Sequence, residues 1–141
     1  MITNRIALVA LACMAAVGCG PKGISVPRTA PVSGAVLFKG KPAAGVKVTF
    51  HPQFDIGATK FTPNGETGKD GRFTLSTGAP SDGAPPGEYA VTFELLRGGA
   101  DKAGRDIEVD AWKGKYADPA KSTFKVEIKN GDNTLEPFKL D

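Results

Sequence analysis

The chain has 141 residues, a length that suits one folded domain. Its formal charge at neutral pH is only +3, from 18 Lys and Arg against 15 Asp and Glu dispersed along the chain, which does not favour nucleic acid as a partner. No run of basic residues, no platform of aromatic and basic residues and no zinc-ligand spacing occurs, so we expect no nucleic acid, metal ion or other cofactor.

The first residues have the layout of a secretory signal peptide. Arg5 supplies a positive charge, and residues 6–17 form an apolar run that is too short to span a bilayer comfortably. The ending Ala16-Val17-Gly18-Cys19 resembles the lipobox of bacterial lipoproteins, although that family usually has Leu where Ala16 stands. The resemblance implies cleavage before Cys19, transfer of diacylglycerol to its thiol and acylation of the new N-terminus with a fatty acid such as palmitate.

The positions of the two cysteines support this interpretation. Cys13 lies inside the apolar run and would be removed with it, whereas Cys19 would carry the lipid. The rest of the chain has no cysteine, so a disulfide cannot form in the mature domain and burial alone must stabilise it. The alternative is an ordinary signal peptide followed by an incidental cysteine. Gly20 stands where an inner-membrane retention signal usually has Asp, so by resemblance to other lipoproteins we expect the outer membrane.

Residues 20–31 hold Gly, Pro and Ser among few apolar residues, which is typical of a flexible tether. Alternatively, the last few of these residues pack along the domain that follows. The predicted organisation is therefore a lipoprotein signal peptide at 1–18, a lipidated tether at 19–31 and a β domain at 32–141.

Residues 83–95 predict the central strand of that domain. Pro85 and Pro86 exclude a helix at its start, and the glycines on either side of them permit tight turns. The residues that follow alternate between a face to be buried and a face to be wet. The buried face comprises Tyr89, Val91, Phe93 and Leu95, and the wet face comprises Glu88, Ala90, Thr92 and Glu94.

Shorter strands are predicted on both sides of this one. They cover residues 32–38, 46–50, 72–77, 123–128 and 135–140, with a weak strand over 56–61. Turn signals lie at 39–42, 68–71 and 129–133, while Pro52 ends a strand and Pro137 indicates an edge strand. Residues 97–122 are expected to be irregular. About seven short strands and no helix after residue 18 predict an all-β, antiparallel β-sandwich.

The order of these segments resembles the carboxypeptidase regulatory-like domains, which share the transthyretin-like (prealbumin-like) sandwich. The residues that carry the resemblance are 32–36 (VSGAV), 40–50 (GKPAAGVKVTF), 70–75 (DGRFTL) and 86–93 (PGEYAVTF). The C-terminal part, from 115–119 (KYADP) to 131–133 (GDN), resembles small secreted lipoproteins of planctomycete-type bacteria. Together these motifs cover nearly all of residues 31–141. The resemblance implies a seven-stranded sandwich that is usually a non-catalytic module.

Candidate chemistry is sparse. His51 is the only histidine, and neither a partner for general base catalysis nor a set of metal ligands is visible beside it, which favours a residue at a strand end. One transthyretin-like branch hydrolyses 5-hydroxyisourate with several histidines, an arginine and a Tyr-Arg-Gly-Ser tail, from which the ending of this chain, residues 137–141, departs. Asp70 and Asp82 have the oxygens for Ca²⁺, but without a cluster of carboxylates their Gly-rich context favours turns.

Trp112 and Tyr116, in the charged segment 97–122, are the candidate ligand-binding residues. The alternative is that both rings anchor this long segment to the domain. The leading hypothesis is a lipid-anchored, non-enzymatic binding or structural module of the bacterial cell envelope, whose candidate partner is an envelope protein or a polysaccharide. The alternatives are a hydrolase of the 5-hydroxyisourate type and a carbohydrate-binding module.

Overall fold

The structure, a computed structural model, describes residues 27–141. In this range the fold is all-β, with eleven strands and no helix. The strands are β1 Val32–Phe38, β2 Lys41–Pro42, β3 Lys47–Pro52, β4 Asn64–Glu66, β5 Arg72–Thr74, β6 Gly87–Glu94, β7 Leu96–Ala100, β8 Asp106–Asp110, β9 Lys125–Ile128, β10 Asn133–Thr134 and β11 Phe138–Leu140. Nothing within residues 27–141 is a helix long and apolar enough to cross a membrane. The predicted signal peptide, Cys19 and most of the tether lie outside the described residues.

The strand predicted as central, β6, lies inside a four-stranded antiparallel sheet of order β4-β3-β6-β9. It pairs with β3 over six positions, from Lys47 opposite Glu94 to Pro52 opposite Tyr89. Strand β9 pairs with the first half of β6 on the other side. Strand β3 was predicted over 46–50, but it continues through His51 and ends at Pro52, where proline has no N–H to donate to a neighbouring strand.

Strand β1 lies at the centre of the second sheet, which has five strands. On one side, β2 and β5 run antiparallel to it. On the other side, β10 and β11 run parallel to it, with Val36 opposite Phe138 and Phe38 opposite Leu140. The last strand of the chain therefore lies beside the first and closes the domain at this edge.

Both sheets contribute side chains to one hydrophobic core. Phe50 of β3 has ring-centroid distances of 6.4 Å to both Phe73 of β5 and Phe138 of β11. Phe93 of β6 lies 5.1 Å from the same Phe138. These aromatic pairs connect the four-stranded sheet to the five-stranded sheet, and burying each ring contributes about 1.5–3 kcal/mol to folding.

The Pro/Gly loop before β6 is anchored at both ends. The buried Tyr89 hydroxyl donates to the Pro85 carbonyl at 2.6 Å, which fixes the loop above the core. Gly83 has a φ of +87°, and a Cβ there would lie 1.8 Å from the carbonyl oxygen of Ala30. Ala30 exchanges two backbone hydrogen bonds with Ala84. Ala30 is therefore packed, which matches the alternative that the last tether residues lie along the domain.

The prediction that residues 97–122 are irregular is wrong for their first half. Strands β7 and β8 form an antiparallel hairpin there, with Leu96 opposite Asp110 and Ala100 opposite Asp106. The signal was hidden because β7 contains two adjacent glycines, which are depleted in strands, and because β8 carries three acidic residues. Outside the hairpin, residues 111–122 follow irregular turns.

Four smaller predictions also need correction. The five-stranded sheet is mixed rather than antiparallel, because β10 and β11 run parallel to β1. The weak strand at 56–61 does not form, and β4 pairs with β3 instead. The strand count is eleven rather than seven, partly because several strands have only two or three residues. The outer face of β6 is not uniformly wet, since Ala90 and Thr92 are buried. Ala90 lies between His51 and Lys125 on the neighbouring strands, whose longer side chains shield it from water.

Candidate functional site

The two predicted ligand-binding residues belong to a chain of turns, residues 110–117, which we call the Trp112 corner. Asp110 organises it. One carboxylate oxygen of Asp110 accepts from the backbone N–H groups of Leu95 at 2.9 Å and Trp112 at 3.1 Å, and the other accepts from Gly114 at 2.7 Å. Partial burial by itself would raise the pKa of Asp110, but these three donors hold it below its ordinary value. Asp110 thus fastens the base of the hairpin to the corner.

The aromatic rings of the corner pack against each other and against β1. The Trp112 ring lies 5.3 Å from the Phe38 ring and meets the Tyr116 ring edge to face at 5.4 Å. Lys115 Nζ lies 4.9 Å from the centre of the Tyr116 ring and covers one of its faces. Both rings are half-buried and contact the edge of the core. Protein groups therefore occupy part of the ring surface on which a sugar would stack.

The corner also holds the last residue of the sequence. The Tyr116 hydroxyl donates to the backbone oxygen of Asp141 and accepts from its N–H group at 3.1 Å. Lys115 Nζ donates to the same backbone oxygen at 2.7 Å. In addition, the Tyr116 carbonyl accepts from the N–H of Phe93 at 3.0 Å. The corner is thereby fixed to β6 and to the end of β11.

A cleft with a volume of about 530 Å³ opens beside the corner. It is lined by Lys115, Tyr116, Asp118, Lys121, Ser122, Thr123, Phe124, Lys139, Leu140 and Asp141. Charges of both signs and hydroxyl groups suit a polar ligand held by hydrogen bonds. Of the two predicted ligand-binding residues, only Tyr116 lines this cleft, while Trp112 supports it from behind. The lining residues from β11 and from 118–124 were missed, because only the fold brings them to Tyr116.

A hydroxyl partner for His51 was also missed. His51 Nε2 lies 2.9 Å from the Thr92 hydroxyl, across the pairing of β3 with β6. Partial burial lowers the pKa of His51, and the nearby charge of Glu94 opposes that shift only in part. The neutral imidazole thus forms a hydrogen bond with the hydroxyl of Thr92, a residue that is only 3% exposed. The pair fastens two strands together.

The lowered pKa of His51 predicts a loss of stability in mild acid. Above the ordinary value of 6.5, the histidine is neutral in both the folded and the unfolded chain, so it causes no penalty. As the pH falls below 6.5, the unfolded chain binds a proton that the folded chain resists, and the free energy of unfolding decreases until the folded pKa is reached. Denaturant titrations between about pH 8 and pH 5 measure this slope.

His51→Gln is the control for this slope, because the glutamine amide does not gain or lose a proton between about pH 8 and pH 5. Its free energy of unfolding should stay nearly constant over the same range. Carboxylates with lowered pKa values, such as Asp110, contribute to the free energy of unfolding down to about pH 3.8 and lose this contribution only in stronger acid. An equal slope in both proteins would show that another group is responsible.

Asp70 and Asp82 both accept hydrogen bonds within their own turns. Asp82 accepts from the N–H groups of Thr77, Gly78 and Ala79 at 2.6, 2.9 and 2.9 Å. Partial burial opposes ionisation of Asp82, but these donors hold its pKa below the ordinary value. Across residues 27–141, no three His, Cys, Asp or Glu residues are grouped so that they could hold a metal ion.

Fold and site together define an all-β domain with an aromatic corner beside a polar cleft. No family model matches the chain, and no curated protein matches it. Among solved structures, it is similar to the crystal structure of a 9R-lipoxygenase from Cyanothece PCC8801, with 15% sequence identity and a TM-score of 0.46. The match covers 87% of this chain and 18% of that lipoxygenase chain.

Proposed function

We propose that the protein is a lipid-anchored, non-enzymatic binding or structural module of the bacterial cell envelope. The observation that carries this proposal is the N-terminal sequence, in which Arg5, the apolar residues 6–17 and Gly18 lead directly to Cys19. Two or three acyl chains give stable anchoring, whereas a single chain is marginal. Gly20 after the anchor favours the outer membrane.

We assign the domain to the carboxypeptidase regulatory-like sandwiches of transthyretin-like topology. Two observations support the assignment. The five-stranded and four-stranded sheets share one core, as the layers of a sandwich do. In addition, the turn-and-strand motifs at 32–36, 40–50, 70–75 and 86–93 follow one another in the order of that family.

The polar groups of the domain support a non-enzymatic role. His51 is bonded to a buried hydroxyl, and the carboxylates of Asp82 and Asp110 are occupied by backbone amides. These groups act in holding strands and turns. The partly covered faces of Trp112 and Tyr116 favour a protein partner over a stacked polysaccharide.

The path of the chain through β6 predicts which end of the domain meets that partner. The described chain enters beside the start of β6, where Ala30 pairs with Ala84. The hairpin and the Trp112 corner follow the other end of β6, and a strand of 8 residues is roughly 25 Å long. The corner and the hairpin therefore lie at the opposite end of β6 from this entry point, and that is the end we propose for the partner.

The anchor is tested by growing the producing bacterium with radioactive palmitate and isolating the protein. We expect label in the wild type and none in Cys19→Ala. Cys13→Ala is the matched control, because Cys13 lies inside the predicted signal peptide and should leave the label unchanged. Label that persists in Cys19→Ala, or no label in the wild type, would refute the anchor.

A further inference from the structure

The hairpin of β7 and β8 stands apart from both larger sheets. It forms a two-stranded sheet, and no third strand from residues 27–141 pairs with it. A two-stranded hairpin by itself is at best marginally stable in water, so a further strand would stabilise it. All but the last residue of β8 are exposed to solvent. This strand therefore has an edge that is open to another chain.

One face of β8 is apolar, and Arg97 of β7 lies beside it, directly opposite Val109. Ile107 and Val109 are 40% and 44% exposed, and they are the large hydrophobic side chains that stand out at the surface of residues 27–141. Both point to the same face because they are two residues apart on one strand. Gly99 lies opposite Ile107 on β7. A Cβ at Gly99 would lie 2.9 Å from Val109 Cγ2, so the absence of a side chain there leaves room for Val109. Ile107 and Val109 thus form a small apolar strip along β8, bordered by Arg97 of β7.

The other face of β8 is acidic. Asp106 and Glu108 alternate with the apolar pair and are exposed. Neither belongs to a salt bridge among the described residues, where the acidic partners are Asp70, Glu94, Asp101 and Asp118. Asp110 continues the acidic row at the base of the hairpin, although its carboxylate is engaged by backbone amides. The strand thus offers backbone hydrogen bonds, an apolar strip and unpaired negative charge together.

We propose that β8 is the docking strand for an extended segment of a partner protein in which apolar residues alternate with Lys or Arg. The segment would add a third strand beside β8, with its apolar side chains next to Ile107 and Val109 and its basic side chains next to Asp106 and Glu108. Backbone hydrogen bonds would supply affinity, and the complementary charges would supply specificity. The inference deepens the binding role proposed above and rests on it, but it does not require the lipid anchor.

The charges of β8 argue against a second copy of this chain as the occupant. Two β8 strands paired antiparallel about Glu108 would place this residue against its own counterpart. The same register would place Asp106 of one copy against Asp110 of the other. Like charges directly opposite each other on neighbouring strands are destabilising. A basic segment removes this repulsion and gains attraction instead.

Fluorescence anisotropy with the purified full chain and a labelled peptide tests the proposal. The probe is a peptide of about eight residues that alternates lysine with valine, because strands are commonly of this length. Two control peptides accompany it: one has glutamate in place of lysine, and one keeps lysine but carries N-methyl groups on its backbone. We expect binding of the lysine peptide and affinity at least about tenfold lower for both controls.

Variants of the chain locate the binding on β8. The double variant Ile107→Thr with Val109→Thr keeps strand-forming residues but should lose most of the binding, because the apolar strip is gone. Glu108→Lys should weaken the lysine peptide and strengthen the glutamate peptide. Glu127→Lys on β9 is the matched charge control and should change neither. Unfolding midpoints close to that of the wild type establish that each variant is folded.

Three results would overturn the proposal. Two of them come from the wild-type chain alone: no binding of the lysine peptide, or equal binding of all three peptides. The third is binding of the lysine peptide that Glu108→Lys leaves unchanged. Dimers that disappear in the double variant would show that the occupant is a second copy. Failure of this test leaves palmitate labelling at Cys19 untouched, so it is distinguishable from failure of the anchor.

Discussion

Replacing Phe50 with alanine should lower the free energy of unfolding by about 3–5 kcal/mol, the range typical of a large aromatic ring removed from a core. Phe50 is fully buried. Its ring contacts Tyr89 within its own sheet and both Phe73 and Phe138 in the other sheet. Removal of the ring therefore leaves a cavity between the two sheets, where neither can move inward without disturbing its strand pairing. Urea denaturation followed by circular dichroism measures the loss.

Phe54→Ala is the matched control for this core position. Phe54 lies at the edge of the core, is partly exposed and meets the Tyr89 ring edge to face at 5.4 Å. Removal of the Phe54 ring should lower the free energy of unfolding clearly less than removal of the Phe50 ring. If both variants lose the same free energy, or if Phe54→Ala loses more, the two sheets do not share the core that these contacts define.

Asp110→Ala should release the Trp112 corner and lower the free energy of unfolding by about 1.5–3 kcal/mol, the usual contribution of hydrogen bonds to a charged group. The carboxylate joins Leu95, Trp112 and Gly114 through their backbone N–H groups. Without it, these amides should exchange with solvent faster, whereas amides of the core strands change little. Hydrogen exchange measured by NMR reports both effects at single residues.

Asp110→Asn separates geometry from charge. The asparagine oxygen can still accept the bonds from Leu95 and Trp112, while the bond from Gly114 is lost, so we expect an intermediate loss of stability. The pKa of Asp110 lies below 3.8 in the folded chain. The wild type should therefore exceed Asp110→Asn in free energy of unfolding by its largest amount at neutral pH, and this difference should disappear in strong acid. Unchanged exchange at Leu95 and Gly114 in Asp110→Ala would contradict the role of this carboxylate.

The regular alternation of apolar side chains predicted most of the longer strands. β1 has the predicted bounds, and β6 and β9 differ from theirs by one or two residues. Alternation predicts a strand whenever one face is buried, because the burial itself creates the pattern. β8 also alternates, with Ile107 and Val109 between acidic residues, but the two adjacent glycines of its partner β7 and the acidic residues of β8 are depleted in strands. The hairpin was therefore not predicted.

The pairing of the strands was harder to predict from the sequence than their positions along the chain. The parallel pairing of β1 with β11 joins residues about a hundred positions apart, and no local pattern records such a pairing. The candidate site depends on this pairing, since it brings Lys139 and Asp141 to Tyr116. Residue types alone singled out the two aromatic residues. Their separate positions, with Tyr116 in the cleft and Trp112 behind it, follow from contacts with Phe38 and Asp141.

The proposed docking strand and the point where the described chain enters the domain lie at opposite ends of β6. The chain enters beside Ala84, and β8 lies beyond the far end of β6. The polar cleft beside Tyr116 lies next to the base of the hairpin, because Asp110 connects the two. Asp110 thus fixes the corner to the base of the hairpin that we propose as the docking site.

The N-terminal peptide of the mature protein tests the central claim most directly. Mass spectrometry after proteolysis should find a peptide that begins at Cys19, with diacylglycerol on the thiol and a fatty acid on the amino group. The first trypsin site after it is Lys22, although Pro21 precedes that lysine, so a short and strongly hydrophobic fragment is expected. A mature chain that begins elsewhere, or that begins at Cys19 with a free thiol, would contradict the lipid anchor and with it the proposed place of this protein in the envelope.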